Sequence, residues 1–309
     1  MSKMFLYVLK RVLLGLLAIF IIITVTFFVM HAVPGGPFLS EKAVTPAVTA
    51  ALEAKYGLDK PLGEQYVTYL KDILLHFDFG PSLKNRGRDV IDIMTDGFKV
   101  SAKLGGTAAI CAIFGGLCLG SIAAIFRNKF IDRIIMIVTT AFVAMPSFII
   151  GTLFLMFFCV KLGWFPANGD AAGGTVLPII TLMLYPMSYI TRLTRSSMLD
   201  VLGQDYVRTA RAKGVGNMGV IFKHALKNAC LPVVTYAGPM LAFIVTGSLV
   251  VEQIFAVPGI GRRFVSSIIN RDYTMIMGTT IFLAVLIIVM TLLCDIIYKL
   301  VDPRIDFDK

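Results

Sequence analysis

The sequence predicts an all-α integral membrane protein with six transmembrane helices and both termini in the cytoplasm. Three observations carry this. Hydrophobic residues make up 57% of the chain. Charged residues make up only 16%, where a soluble domain carries about a quarter. The mean hydropathy is +0.82, and the apolar residues gather into long uncharged runs.

A membrane helix needs about 20 mostly apolar residues, because each rises about 1.5 Å across a core about 30 Å thick. The runs are Val12–Met30, Leu104–Phe126, Ile134–Val160, Val176–Ile190, Pro232–Val251 and Thr274–Cys294. The fourth reaches spanning length only by continuing into Thr191–Met198. The first follows Lys3, Lys10 and Arg11. It is long for a signal-peptide core and no Ala-x-Ala site follows, so a retained anchor is expected.

Short-loop Lys and Arg set the orientation. Basic residues precede the first run, and Arg127, Lys129 and Arg133 follow the second. Arg192, Arg195, Arg208, Arg211, Lys213, Lys223 and Lys227 follow the fourth, and Lys299, Arg304 and Lys309 the sixth. Six crossings place all of these on one side. Arg262, Arg263 and Arg271 fall on the other side and are outnumbered. The net charge of +10 is therefore a topology signal, and no nucleic-acid-binding motif accompanies it.

Pro146, Pro186 and Pro239 lie within spans. Each removes a backbone donor and predicts a hinge or a kink. Gly105-Gly106, Gly115-Gly116 and Gly120 predict close helix approach in the second span. The five cysteines, Cys111, Cys118, Cys159, Cys230 and Cys294, lie in or beside apolar runs without CxxC spacing. They read as packing residues, with neither a structural disulfide nor a metal site.

Two segments lie outside the membrane. Residues 31–100 predict a small external helical insertion. Thr45-Pro46 opens one helix that closes at Tyr56-Gly57, and Tyr66, Tyr69, Leu70, Ile73, Leu74 and Phe77 have helical spacing in a second. Val90, Ile91, Ile93 and Met94 suggest a third short helix. Residues 199–231 form the cytoplasmic loop. Gln204-Asp205 starts a short helix, Arg211 and Lys213 end it, and Gly214 stands just past it. Acid at the start, base at the end and a left-handed cap suit the helix dipole. Asn217 caps a second helix reaching Leu231. The plainer alternative is an amphipathic hairpin on the lipid surface.

The middles of the spans hold no Asp, Glu, Lys, Arg or His, with Glu252 and Asp295 at the edges. Intramembrane ionisable groups serve proton and ion relays, so a proton-coupled carrier is disfavoured. Sodium-coupled or facilitative carriers and a non-transporting scaffold stay open. His31, His76 and His224 are scattered, and neither HExxH, GxSxG nor a Walker phosphate loop occurs. The chain is not expected to be an enzyme. ATP-driven work would need a nucleotide-binding partner.

The run Arg208-Thr-Ala-Arg-Ala-Lys-Gly214, continuing through His224-Ala-Leu-Lys-Asn-Ala-Cys-Leu-Pro232, resembles the cytoplasmic signature of permeases in binding-protein-dependent ABC importers. Arg208 stands where that signature has glutamate. Val33-Pro-Gly-Gly-Pro-Phe38, Tyr56-Gly-Leu-Asp-Lys-Pro-Leu62, Asp78-Phe-Gly-Pro-Ser82, Val257-Pro-Gly-Ile-Gly-Arg262, Asn270-Arg-Asp-Tyr273 and Val301-Asp-Pro-Arg-Ile305 extend the likeness along nearly the whole chain. The Arg208-Thr-Ala-Arg-Ala-Lys-Gly214 form resembles the peptide and nickel branch of these permeases. The resemblance implies a channel-forming permease subunit of the bacterial inner membrane that moves oligopeptides, with dipeptides or nickel as alternatives. It implies a C-type sister permease, two ATPase subunits and an external peptide-binding protein. It implies no cofactor in this chain, ATP and magnesium being bound by the ATPases. Arg208, Thr209, Ala210, Arg211, Ala212, Lys213 and Gly214 are the implied ATPase-coupling residues.

Overall fold

The computed structural model describes residues 2–34, 36–38, 50, 53–85 and 87–301. Among them helices dominate, and the sole β-type pairing is an isolated bridge between Pro81 and Asp89. The helices are α1 (Ser2–Ala32), α2 (Leu62–Lys71), α3 (Val90–Ile125), α4 (Phe130–Ala144), α5 (Ser147–Phe154) and α6 (Val176–Leu202). They continue with α7 (Asp205–Ala212), α8 (Asn217–Gly219, then Val220–Leu226 and Lys227–Ala229) and α9 (Leu231–Val245). Then follow α10 (Leu249–Ile254), α11 (Ile260–Ile269) and α12 (Tyr273–Val301). Helix α2 runs on as a π-helix through Asp72–His76, α5 through Leu155–Lys161, and the Val220–Leu226 part of α8 is also π-helical.

Among the described residues, five helices are long and apolar enough to cross a membrane, six if the α4–α5 pair counts as one crossing. That pair corrects the straight third span expected over Ile134–Val160. Met145 is extended (φ −88°, ψ 127°), and the arms on either side of Met145-Pro146 meet at 103°. The steric demand of the proline ring on the residue before it accounts for the extended backbone. The bent pair nevertheless joins opposite ends of the bundle. Asp132 near the start of α4 pairs with Arg195 of α6, and beyond α5 the Gly169 N–H donates to Phe255 O at 2.7 Å. Pro186 and Pro239, by contrast, lie inside unbroken stretches of α6 and α9.

Helices α3 and α6 make the most extensive pair, and the small residues explain it. A Cβ on Gly116 would stand 2.6 Å from Ile190 Cγ2, and one on Gly120 2.6 Å from Thr191 O. Lipid supplies little hydrophobic drive between helices, so contact at this range supplies the dispersion that holds them. A Cβ on Gly105 would collide with Ile244 O of α9, whereas Gly106 has open space around it.

The external insertion differs from expectation in one element. Val90 to Met94 are not a separate short helix but the first turns of the 36-residue α3. Residues 53–56 of the helix opened by Thr45-Pro46 are helical, and 45–49, 51 and 52 lie outside the described residues. Gly57 ends it with φ +68°, its N–H bonded to Ala54 O and that of Leu58 to Glu53 O, which is a Schellman cap. Leu58 and Tyr56 then pack on Phe38, Leu83 and Tyr273, while Ile73 joins Ile23 of α1 and Ile281 of α12.

The sequence motifs at this end converge. Asp272, 1% exposed, accepts from Ser82 Oγ, from Leu83 N at 3.2 Å and from Met275 N at 3.3 Å, closing the start of α12. Arg271 Nη1 donates to Pro34 O at 2.9 Å and Arg262 Nη1 to Ala256 O at 2.7 Å. These two external arginines hold main-chain carbonyls. Glu252 is wholly enclosed. Ser101 Oγ donates to its Oε1 at 2.6 Å, and Arg262 N donates to Oε2 at 3.1 Å. Ser101 Oγ also accepts from Ile260 N at 2.9 Å. The carboxylate thus serves the orphan N–H groups that open α11.

Glu252→Ala leaves Ser101 Oγ and Arg262 N without their acceptor, at about 1–3 kcal/mol for each buried orphan. The purified protein is expected to melt several degrees lower, with Glu252→Gln falling between alanine and wild type. An unchanged melting temperature for the alanine variant would remove Glu252 from this role.

Candidate coupling site at the cytoplasmic end

The loop after α6 folds into two short helices, the first closed by a local C-terminal cap. Asp205 stands in the first turn of α7 and Arg211 in the last. Gly214 then takes φ +81°. Its N–H donates to Arg211 O at 2.9 Å, and the Val215 N–H to Ala210 O at 3.1 Å. This is again a Schellman cap, and it needs a residue tolerant of the left-handed region at Gly214.

The cap fixes which face looks outward. Val207 is fully buried and Ala210 is 7% exposed, against the π-helical part of α8. Arg208, Thr209, Arg211, Ala212, Lys213 and Gly214 are exposed. Six of the seven candidate coupling residues therefore share the outer surface, and Ala210 packs inward. Thr209 Oγ1 bonds back to Asp205 O at 3.0 Å, and Arg208 reaches Asp205 at 3.4 Å along the same helix. The charges available to a partner are chiefly Arg211 and Lys213. Beside them lie exposed apolar groups absent from the candidate set: Tyr206, Met218 and Phe222, the last two more than half exposed. Asn228 Nδ2 donates to Tyr206 Oη at 2.7 Å and so holds that ring on α8.

Two connections run from this surface into the bundle. Ala225 and Ala229 of α8 pack with Met198 of α6 and Ala124 of α3 in one buried cluster. One turn away on α6, Arg195 makes a forked pair with Asp132, Nε to Oδ1 at 2.6 Å and Nη2 to Oδ2 at 2.8 Å. Asn128 N adds a third bond to the carboxylate at 2.8 Å. Asp132 is 3% exposed. Helix α8 is thus joined to α3 and α6 by packing, and α6 to α4 by a charge pair. The Asp132–Arg195 pair escapes sequence reading because its members are 63 positions apart, and Arg195 reads there as a topology charge.

The fold is a helical membrane bundle with a short basic helix, capped at its C-terminus, exposed at one end. Residues 116–307 match the family described as binding-protein-dependent transport system inner membrane component, and residues 4–97 match the N-terminal membrane component of the same systems. The chain belongs to this family of inner-membrane transport components. It is 48% identical over 304 residues to the dipeptide transport system permease protein DppB of Bacillus subtilis, covering 98% of each chain. It is 42% identical to the oligopeptide transport system permease protein OppB of Salmonella typhimurium, covering 97% of this chain and 99% of that one. The fold resembles a solved MetNI methionine ABC transporter with a TM-score of 0.58, at 19% identity over 69% of this chain and 97% of that one.

Arg195→Lys keeps the charge but loses the fork. Arg195→Met strands a buried carboxylate, a change that costs about 3–5 kcal/mol when burial is complete. The expected order of melting temperature is wild type, then lysine, then methionine, with the exchange Asp132→Arg/Arg195→Asp recovering part of the loss. Equal melting of all variants would show that the pair does not hold α4 to α6.

Proposed function

We propose that this chain is the channel-forming permease subunit of an ATP-driven importer of peptides, working by alternating access. Near-full-length similarity to dipeptide and oligopeptide permeases carries this reading. The subunit pairs with a homologous second permease, two ATPase subunits engage the cytoplasmic end, and an external binding protein delivers peptide. ATP and magnesium are bound by the ATPases, so this chain performs no covalent chemistry.

Coupling follows from the loop geometry. The outer face of α7, with Arg211, Lys213 and Gly214 and the neighbouring Met218 and Phe222, docks on an ATPase. Basic groups meet acidic groups or carbonyl oxygens there, and the apolar side chains supply buried contact. A capped helix moves as a unit, whereas an uncapped loop would absorb the displacement. Closure of the ATPase pair on ATP moves α7, and α8 carries the motion to α3 and α6. The path opens outward to receive peptide, and hydrolysis resets it.

Gly214→Val forces a β-branched residue into the left-handed region, which costs about 1–2 kcal/mol or more. A Cβ there meets nothing within 4 Å, so the effect is conformational rather than steric. ATP-dependent peptide uptake by the reconstituted assembly is expected to fall at least tenfold, roughly 1.4 kcal/mol in coupling, while Gly214→Asn retains more because asparagine tolerates this backbone. Full uptake by the valine variant would refute the coupling assignment. Purification in mild detergent should recover ATPase subunits. Uphill transport by this chain alone in liposomes would replace the importer reading with a self-sufficient carrier.

A further inference from the structure

One face of α6 does not suit lipid. Tyr185, Tyr189, Arg192, Ser196 and Asp200 are exposed at spacings of four, three, four and four residues, a single helical stripe. Tyr189 is the central residue of the helix Val176–Leu202. It is 40% exposed and Tyr185 is 46% exposed. Tyrosines in membrane helices favour the interfaces, where their hydroxyls meet water, and these two lie far from either end. Tyr236 of α9 joins them, its ring 4.3 Å from that of Tyr189 at 30°. Among the described residues, none hydrogen-bonds the hydroxyls of Tyr185, Tyr189 or Tyr236, and none forms an ion pair with Arg192. The contrast lies on α3, whose exposed middle is Ile110, Cys111, Phe114, Cys118 and Ile122, a surface hydrocarbon can cover.

We infer that the Tyr185–Tyr189–Arg192 face, together with Tyr236, lines the passage and contacts the peptide in transit. The inference rests on the proposed importer function and extends it to named residues. The chemistry suits a peptide of variable sequence. A phenol hydroxyl both donates and accepts, so it serves the N–H or the C=O of any peptide unit. The aromatic faces offer apolar area to varied side chains, and the Arg192 guanidinium complements a free C-terminal carboxylate. A water-filled passage also satisfies the three hydroxyls when no peptide is present, which lipid does not.

The test uses the complete assembly in proteoliposomes, with the five native cysteines replaced by alanine. Tyr185→Cys and Tyr189→Cys are expected to react with a charged, membrane-impermeant maleimide, and more slowly when peptide-loaded binding protein and ATP are present. Ile110→Cys and Phe114→Cys should stay unreactive. Tyr189→Phe should reduce uptake by about two- to tenfold, the range for one lost hydrogen bond. Arg192→Gln should abolish any preference for free over amidated peptide C-termini. Unreactive stripe cysteines that instead cross-link to the sister permease would overturn the inference and make this face a subunit interface. Labelling without peptide protection, combined with normal uptake by Tyr189→Phe and Arg192→Gln, would overturn it as well. Peptide uptake by the unsubstituted assembly separates the two levels: its absence sinks the importer function and this inference with it, while normal uptake alongside an inert stripe sinks the inference alone.

Discussion

Glu252 has no access to water, and the external end of the bundle is organised around that fact. A buried carboxylate is tolerated only when its oxygens are fully hydrogen-bonded. Ser101 of α3 and the opening N–H groups of α11 meet this need. A Cβ at Gly259 would strike the carboxylate, so glycine permits the approach. The result ties the end of the fifth crossing to α3 and sets the direction in which α11 leaves. Asp272 does the same for α12, drawing in Ser82 from the long external segment. Motifs scattered between positions 33 and 273 thereby become neighbours.

The opposite end is built differently. Tyr7 Oη donates to Asp295 at 3.0 Å, and Arg11 pairs with the same carboxylate at 3.1 Å, joining the first and last helices. Asp132 and Arg195 hold α4 on α6. Between these anchors the loop seats Ala225 and Ala229 of α8 against Ala124 and Met198, with Leu199, Leu202, Ile221 and Leu226 packed around them. The alanines allow close seating of α8 on the bundle.

The apolar runs and local caps made much of this legible in advance. Span placement follows from length and hydropathy, and the outward α7 helix follows from Asp205, Arg211 and Gly214 within a single stretch of chain. Contacts between distant positions were not legible. Asp132 and Arg195 are unremarkable beside other edge charges until the fold joins them. Ala210 belongs to the recognised motif, yet its place on the helix turns it inward. Three prolines looked equivalent, although only Pro146 breaks its helix, because a local sequence does not show which neighbours hold the flanks together. The α6 stripe is written in the spacing of its residues, but its exposure becomes evident only once α3 and α9 have taken the other faces.

The elbow at Met145-Pro146 bears on how the chain enters the bilayer. Its first arm, Phe130–Ala144, is about 22 Å long at 1.5 Å per residue, short of a hydrocarbon layer about 30 Å thick. The second arm, Ser147–Lys161, is no longer. Neither half threads the layer as an autonomous segment, and the peptide groups at the bend need protein around them. Both arms instead lean on α6, which carries Arg195 for one arm and Thr181 beside Gly151 of the other, so the third crossing is held in place by the fourth.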